Sequence, residues 1–422
     1  MSSRPRKVTL RYYNVGFGDC LLLAFQYAKT ERFVLVDCGT TSAPGKADAG
    51  ELLAKVALDV EARCGGKLHA VVATHRHKDH VEGFRRKKAG DGPGDVFLRC
   101  QPDAVLLPWT EDPDLETDAV RPSKGLAAHA LHARGLLGMQ SAAGGVLAEA
   151  KRLAPALSKA AARRLAFLGE DNLGNRNALE TLWEMGRRSR AKRCRFLHHG
   201  MKSGLERVLP GVKVHVLGPP SIEQHPAVLR QRQKDEDEYW HLLGFAGRRS
   251  SGAPQPFRGA GHVARTAPEH RWIVRRLERL RGEQLYEVVR TVDDALNNTS
   301  LILLFQVGDQ KLLFPGDAQI ENWQYALEKN AELLKDVRLY KVGHHGSLNA
   351  TPKSLWNGFT RKSGGAGSGD LLSVCSTKAN VHGTTNEVPR KKLVDELERR
   401  SEYRSTPGLP KKSLYGEVEI VI

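Results

Sequence analysis

The chain has 422 residues, of which 40% are hydrophobic and 27% are charged, and its formal net charge is +17. This composition is typical of a folded globular protein rather than a disordered one, and no apolar run approaches the ~18 residues that a membrane span needs. The positive surplus favours a polyanionic partner such as nucleic acid, although it equally fits a solubility charge or a basic docking face for an acidic protein.

The cysteines and the amino terminus indicate a reducing compartment. The first seven residues are polar and basic, and a short strand pattern follows them instead of a long apolar signal core. We therefore expect a cytoplasmic protein. No pair of cysteines forms a CxxC motif, so reduced thiols are expected, and Cys20 and Cys38 lie in strand-like runs typical of core positions. The full set is Cys20, Cys38, Cys64, Cys100, Cys194 and Cys375.

The amino-terminal third alternates between strand patterns and turns. Short β-branched and apolar runs bounded by glycine, asparagine and aspartate predict strands, and a run with apolar residues at helical spacing predicts a helix. The glycine-containing segment 14–19 reads as a turn between the first two strands. The predicted elements are strands at 8–13, 20–25, 33–36 and 68–73 and a helix at 48–63.

The most informative segment follows the predicted strand 68–73. Three histidines and an aspartate lie within six residues in the pattern HxHxDH. Imidazole and carboxylate are the ligands that Zn²⁺ prefers, and they also suit Mn²⁺ and Fe²⁺. A strand that ends in a tight turn can direct several such side chains into one space, so a metal site is favoured over a polar loop. The candidate ligands here are His75, His77, Asp79 and His80.

The middle of the chain, about 111–290, differs in amino-acid composition from the segments on either side. Alanine, leucine and arginine dominate 124–206, and a polar stretch rich in glycine, arginine and proline reads as a loop or linker. The basic run 187–195 suggests either a nucleic-acid track or a solvated helix end. The predicted elements are helices at 145–168 and 177–188, a strand at 212–217 and a loop at 245–270.

The final third returns to strands. A Gly-Asp-Gln segment between two apolar runs predicts a hairpin turn at 308–310. Three further metal-ligand candidates follow predicted strands here: Asp317, His344 and His345. The predicted elements are strands at 300–307, 311–314, 337–342, 371–375 and 418–422 and helices at 320–334 and 387–400.

Ligand-type residues therefore follow strands at 75–80, at 317 and at 344–345. This distribution predicts one pocket at a common edge of two sheets. A bridging carboxylate such as Asp317 can hold two cations about 3.5–4 Å apart. Such cations make hydroxide available near neutral pH and neutralise charge on a phosphate or carboxylate substrate.

With these motifs in view, the chain resembles the metallo-β-lactamase-fold hydrolases, and within them the soluble hydrolase domain of the competence DNA-uptake proteins. The resemblance covers about 1–110 and 290–422. The matching segments are Asn14–Asp19, Leu35–Gly39, the histidine cluster at 75–80, Asn297–Leu301, Phe314–Ala318, Lys341–Ser347, Asn380–Gly383, Tyr403–Thr406 and Gly416–Val418.

The resemblance implies an α/β fold, an αββα sandwich of two packed mixed sheets with helices outside. Its halves would be 1–110 and 291–422, separated by a largely helical, basic insertion at 111–290 that carries a short strand region near 212–217. Length alone is consistent with two or three domains or with one elaborated α/β domain.

The resemblance also implies two divalent metal ions, Zn or Mn. His75 and His77 would hold the first, while Asp79, His80 and either His344 or His345 would hold the second. Asp317 would lie between the metals, and Asp37 would support the site without ligating. Many relatives have a further histidine where Asn297 and Asn298 stand here. Amide oxygen is a weaker ligand than imidazole, so we expect a weaker first site and tighter binding on the Asp79/His80 side.

Other residues have candidate roles. The candidate catalytic residues are Asp79 and His382; His382 could donate to a substrate oxyanion or leaving group, or only cap its loop. Asn298, Lys341 and Ser347 are candidate substrate contacts. It is equally consistent with the sequence that Lys341 is a solvated lysine and that Ser347 caps a helix. His198 and His199 repeat the His-His-Gly of the metal candidates but lack an acidic block nearby, so a structural role is favoured. The tryptophans, expected to be core or partner anchors, are Trp109, Trp183, Trp240, Trp272, Trp323 and Trp356.

Three functional hypotheses follow. The first is a metal-dependent phosphodiesterase, a nuclease that acts on DNA. The second is a hydrolase of a small substrate: a cyclic nucleotide, a phosphorylated metabolite, a lactone or a lactam, since this fold hosts all of them. The third is an effector or scaffold subunit of a larger assembly, such as a phage-defence complex, with a protein partner on the 111–290 insertion.

Overall fold

The computed structural model describes residues 4–113, 175–221, 223–225, 296–379, 381 and 388–422. Within these ranges the chain forms a mixed α/β structure with two mixed sheets. No helix in this part of the chain is long and apolar enough to cross a membrane. The predicted helix at 145–168 and the predicted loop at 245–270 lie outside the described residues, as do Trp240, Trp272 and His382.

The first sheet has seven strands in the order β13-β1-β2-β3-β4-β5-β6. Strands β13, β1, β2 and β3 pair antiparallel, while β3, β4, β5 and β6 are parallel. Their bounds are β1 Lys7–Tyr13, β2 Cys20–Gln26, β3 Glu31–Cys38, β4 Ala70–Val72, β5 Ala104–Pro108, β6 Arg195–Leu197 and β13 Tyr415–Val421.

The second sheet has six strands in the order β12-β11-β10-β9-β8-β7. Here β7, β8 and β9 pair antiparallel, and β9, β10, β11 and β12 are parallel. Their bounds are β7 Lys213–Gly218, β8 Ile302–Val307, β9 Gln310–Phe314, β10 Val337–Lys341, β11 Leu372–Cys375 and β12 Glu402–Ser405.

Seven α-helices lie in the described ranges, and several have sequence reasons for their bounds. The first begins after Asp48, whose carboxylate accepts a hydrogen bond from the Glu51 N–H at 2.9 Å and so satisfies a free donor of the first turn. The bounds are α1 Ala49–Arg63, α2 Lys78–Val81, α3 Pro93–Arg99, α4 Arg176–Arg188, α5 Ile320–Leu334, α6 Lys353–Gly358 and α7 Lys391–Arg400.

Three apolar clusters show how the layers pack. One combines inward-facing side chains of both sheets, such as Leu23 and Phe305, so the sheets pack face to face. A second joins the other face of the first sheet to α1, α3 and α4. The third joins the other face of the second sheet to α5, α6 and α7. Because successive strand residues point to opposite faces, neighbours such as Leu22 and Leu23 enter different clusters.

The middle segment contributes to both sheets. Strand β6 is the edge of the first sheet and β7 is the edge of the second. The strand predicted at 212–217 is confirmed as β7, whereas no strand was predicted for β6, at the end of the basic run 187–195. Two short pieces of 111–290 thus each form the edge of a sheet.

Candidate metal centre

The candidate ligands follow the carboxyl ends of parallel strands. Asp37 is near the end of β3, and Thr74 and His75 follow β4 directly. Asp317 follows β9, and His345 follows β10. Since parallel strands present their carboxyl ends at one edge of a sheet, and the two sheets pack face to face, these positions converge on one place.

Four of the predicted ligands meet there. One ligand atom from each of Asp79, His80, Asp317 and His345 lies within 4.8 Å of the others, and all four residues are buried. We call these residues the four-donor cluster. His80 Nε2 lies 3.2 Å from Asp317 Oδ1, yet neither atom has a hydrogen-bond partner. The two atoms pair by charge without a hydrogen bond, and a metal ion at this place would take both of them as ligands. This buried His/Asp cluster could therefore hold a metal ion.

Two of the cluster imidazoles are fixed from behind. His80 Nδ1 donates to Asp37 Oδ2 at 2.8 Å, and His345 Nδ1 donates to the Ser376 carbonyl at 2.9 Å. In both rings the opposite nitrogen, Nε2, therefore faces the cluster. A hydrogen bond of this kind sets the ring orientation and the basicity of a metal-binding histidine.

Asp37 holds the residues around the cluster through three hydrogen bonds, one of them with His80. Its Oδ1 accepts from the Thr74 N–H and its Oδ2 from the Thr74 hydroxyl, both at 2.7 Å. Asp37 adopts a left-handed backbone conformation with φ of 56°, which is uncommon for aspartate. Burial raises the pKa of Asp37, although the charge of His80 and its hydrogen bond act in the opposite direction.

The charges inside the cluster balance one another. Burial opposes ionisation of Asp317, but the charges of His80, His344 and His345 outweigh it and hold the pKa of Asp317 well below its usual range. Burial likewise opposes protonation of His345, and the charges of Asp317 and Asp79 nevertheless raise its pKa. The carboxylates thus favour a cation at this place, whether a proton or a metal ion.

The other three predicted ligands lie beside the four-donor cluster. The His75 ring is 4.2 Å from that of His80, and His75 Nε2 is 3.1 Å from His77 Nδ1. His344 Nε2 is 3.7 Å from Asp317 Oδ2. Burial and the nearby charges of His80 and His77 keep the pKa of His75 well below normal, which suits a neutral ligand. Of the pair at 344–345, His345 belongs to the four-donor cluster and His344 lies beside it.

His344 and His345 both adopt a left-handed backbone conformation, which sets the direction of their side chains. His344 and His345 have φ of 41° and 53°. Non-glycine residues adopt this region at a cost and mostly where a site requires it. A close approach fixes the facing loop: Gly316 has φ of 55°, and a Cβ there would lie 2.7 Å from Thr74. The loop before Asp317 can reach the cluster because residue 316 has no side chain.

Lys341 differs from its predicted role. It is 1% exposed, and its ammonium forms an ion pair with Asp19, which is also 1% exposed. Because this lysine is buried and paired with Asp19, its ammonium is not available to an incoming phosphate, so the structure does not support a direct substrate contact. Its charge instead offsets part of the surrounding carboxylates.

Asp19 is the residue that the sequence interpretation missed. It forms a second buried group with Asp37 and His80, and its Oδ1 lies 4.0 Å from His345 Nδ1. Its backbone N–H donates to the Asp79 carbonyl at 2.9 Å, which ties the turn before β2 to α2. The sequence predicts a turn at 14–19, and a single aspartate in such a turn carries no metal-ligand spacing of its own.

The asparagines at the expected third-histidine place are buried. Asn297 is 2% exposed and Asn298 0%. Asn298 Nδ2 donates to Glu321 Oε2 at 3.0 Å, while the side-chain oxygens of both asparagines have no hydrogen-bond partner. Ser347 is also buried, with its hydroxyl 3.4 Å from Asn349 Oδ1.

The similar His-His-Gly segment at 198–200 serves packing. His199 Nε2 accepts from Asn330 Nδ2 at 2.9 Å and its ring packs on Tyr325. His198 Nδ1 lies 3.2 Å from Gln224 Oε1. Neither belongs to a ligand group of the described residues, which supports the structural interpretation.

Comparison with known proteins adds no identification. No family model matches the chain, and no curated protein matches it significantly.

Proposed function

We propose that the chain is a metal-dependent phosphodiesterase with the metallo-β-lactamase fold, a nuclease that acts on DNA and resembles the hydrolase domain of the competence DNA-uptake proteins. The observation that carries the proposal is the convergence of Asp79, His80, Asp317 and His345 within 4.8 Å at the strand ends. The two face-to-face mixed sheets with helices on their outer faces are consistent with this fold. A cytoplasmic location is proposed from the six buried, free cysteines.

The four-donor cluster fits a divalent cation, and we propose two such cations, Zn or Mn. The four-donor cluster would hold one cation, and His75 and His77 would contribute to a weaker site beside it, with Asp317 between the two. When bound, such cations acidify a coordinated water and neutralise charge on a phosphodiester.

The protein's own residues supply orientation. Asp37 and the Ser376 carbonyl fix the His80 and His345 rings through their Nδ1 atoms, at 2.8 and 2.9 Å. Asp79 is placed by the same contacts, since His345 Nε2 lies 3.1 Å from Asp79 Oδ2. Preorganised groups of this kind need little rearrangement during a reaction. His382, the candidate proton donor, lies outside the described residues.

A combined metal and activity experiment tests the proposal. Protein purified without chelator is subjected to elemental analysis and is then incubated with single- and double-stranded DNA and with Mn²⁺, Mg²⁺ or Zn²⁺. We expect cleavage by wild type and a loss of at least about tenfold in Asp79→Asn and His345→Gln, because removing even a supporting partner of a metal ligand typically costs about 10–100-fold. His198→Gln changes a histidine in the same local sequence outside the centre and should remain active. If wild type and Asp79→Asn are equally inert on every nucleic acid, the nuclease proposal fails.

A further inference from the structure

A strongly basic surface lies beside the metal centre. Two segments form it, the loop Arg85–Lys88 and the exposed residues from Arg187 to Arg193 at the end of α4 and in the turn after it; we call it the basic ridge. Three of its arginines are paired: Arg85 with Glu82, Arg86 with Asp95 and Glu184, and Arg188 with Glu184. Six further cations are exposed and form no ion pair in the described chain: Lys87, Lys88, Arg187, Arg190, Lys192 and Arg193.

The two segments form one continuous surface. The Arg86 N–H donates to Asn177 Oδ1 at 2.9 Å, and the Arg86 guanidinium donates to Glu184 at the same distance. Glu184 also accepts from Arg188, one turn further along α4. The loop is therefore held against α4, and its free cations lie on the same side as the basic end of that helix.

Helix α4 connects the ridge to the metal-ligand loop. Just before the helix, Asn175 Nδ2 donates at 2.6 Å to the carbonyl of Arg76, the residue between His75 and His77. Further along, Trp183 Nε1 donates to the Glu111 carbonyl at 3.2 Å, and the Glu111 carboxylate pairs with Arg76. The helix has 13 residues, which at a rise of 1.5 Å each gives a length of about 20 Å. One end thus adjoins the ligands and the other carries the basic run.

We propose that the basic ridge binds the phosphate backbone of a polynucleotide whose scissile phosphodiester lies at the metal centre. The inference rests on the proposed function and deepens it by assigning the surface that holds the nucleic-acid strand. One strand of a duplex carries a phosphate every 3.4 Å, so 20 Å corresponds to about six phosphates. A small metabolite at the metal centre would not reach the far end of the ridge. Exposed lysine and arginine side chains contact phosphates without reading bases, so binding is independent of sequence.

The ridge differs from a general solubility charge in its position. Its cations lie at the end of α4, in the turn after it and in a loop that contacts this helix, and the same helix begins at the ligand loop. A small anion needs only one or two of these cations, whereas a polynucleotide engages several at once. A polynucleotide also matches the phosphodiester chemistry proposed for the adjoining centre.

Binding of a labelled 30-base-pair duplex without added metal tests the ridge apart from catalysis. The test variant is Arg187→Gln/Arg190→Gln/Lys192→Gln/Arg193→Gln. The matched control, Lys391→Gln/Lys392→Gln/Lys411→Gln/Lys412→Gln, removes four exposed charges elsewhere; Lys192 and Lys412 even share a positive φ. We expect the test variant to bind about tenfold or more weakly and to lower the slope of log K against log salt by about 3.6, since each of the four lost phosphate contacts contributes about 0.9. The control should stay close to wild type.

Two further measurements separate this inference from the proposed function. Hydrolysis of bis(p-nitrophenyl) phosphate reports on the metal centre alone and should be equal in wild type and ridge variant. For oligonucleotides of increasing length, KM should fall until about six nucleotides extend beyond the cleaved bond. If wild type hydrolyses no phosphodiester while the ridge variant alone loses DNA binding, the function fails and the ridge stands. Equal loss in ridge and control variants, or equal binding of DNA, polyglutamate and anionic vesicles by wild type, overturns the inference.

Discussion

Replacing Lys341 with methionine should destabilise the protein in a way that a divalent cation reverses. Lys341 and Asp19 form an ion pair in which each residue is 1% exposed. Methionine keeps most of the side-chain volume but leaves the Asp19 carboxylate buried without its counter-charge. Removing one partner of such a pair costs about 3–5 kcal/mol, so we expect the free energy of unfolding of the metal-free protein to fall by about that amount.

The cation should restore most of this loss. The lysine ammonium lies beneath the ligands, because Asp19 Oδ1 is 4.0 Å from His345 Nδ1. For a cation bound about 8 Å from an ammonium at an effective dielectric constant of about 20, the repulsion would be about 4 kcal/mol. Without the lysine, the remaining carboxylates bind the cation more tightly by a similar amount. We therefore expect the variant to gain more stability from Mn²⁺ than wild type does.

Urea unfolding with chelator and with excess Mn²⁺ measures both effects. The matched control is Lys362→Met, which removes a lysine that is 5% exposed and donates to the Trp356 carbonyl rather than pairing with a carboxylate of the centre. That variant should lose stability equally with and without Mn²⁺. Adding Asp19→Asn to Lys341→Met should recover part of the loss, with a coupling energy of about 2 kcal/mol. A Lys341→Met effect below about 1 kcal/mol, or one that Mn²⁺ leaves unchanged, would refute the reasoning.

Three further predictions concern the frame of the site and its surroundings. Gly316→Ala should lower the free energy of unfolding by more than about 1 kcal/mol and weaken metal uptake, because φ at this residue is 55° and the new Cβ would lie 2.7 Å from Thr74. The control is Gly364→Ala, where φ is also positive but the new Cβ would have only Arg400 nearby, at 3.8 Å. Burial lowers the pKa of His69 to about 4, so the folded protein resists its protonation, and the free energy of unfolding should fall as the pH drops from about 6.5 towards 4. His69→Gln should flatten the dependence of the free energy of unfolding on pH in this range. An unchanged pH dependence in that variant would contradict the assignment. Zn²⁺ or Mn²⁺ at a hundred times its Kd should stabilise wild type by about 2.7 kcal/mol, with a smaller gain in Asp79→Asn; equal gains would place the bound ion elsewhere.

The sheet framework could be predicted from the sequence where apolar patterns were strong. The strands at 20–25 and 33–36 are confirmed as Cys20–Gln26 and Glu31–Cys38, and the helix at 48–63 as Ala49–Arg63. Strand β6, with three residues, was missed because its side chains are only partly apolar and its pairing partner is distant in sequence. Strand β6 forms because it pairs with the exposed edge of β5, and this pairing leaves no periodic pattern in the local sequence.

The candidate site was predictable to the extent that ligand residues are clustered along the chain. Asp79 and His80 share one short helix, and their spacing alone indicated a metal site. Asp19 comes from a distant turn, and its importance arises only when β10 brings Lys341 against it. The predicted substrate contact at Lys341 differs from the structure for the same reason: a lysine in a glycine- and histidine-rich segment looks exposed until its buried carboxylate partner is known.

The two His-His-Gly segments show why sequence alone could not rank such sites. Each follows the carboxyl end of a strand, His198-His199-Gly200 after β6 and His344-His345-Gly346 after β10. Strand β6 is an edge strand with one neighbour, whereas β10 lies between β9 and β11. The loop after β9 supplies Asp317, and the chain after β11 supplies the Ser376 carbonyl that orients His345. Because an edge strand has such a loop on one side only, His199 meets Asn330 and Tyr325 instead. The position of a strand within its sheet, rather than the tripeptide itself, therefore decides which histidine pair can take part in a metal centre.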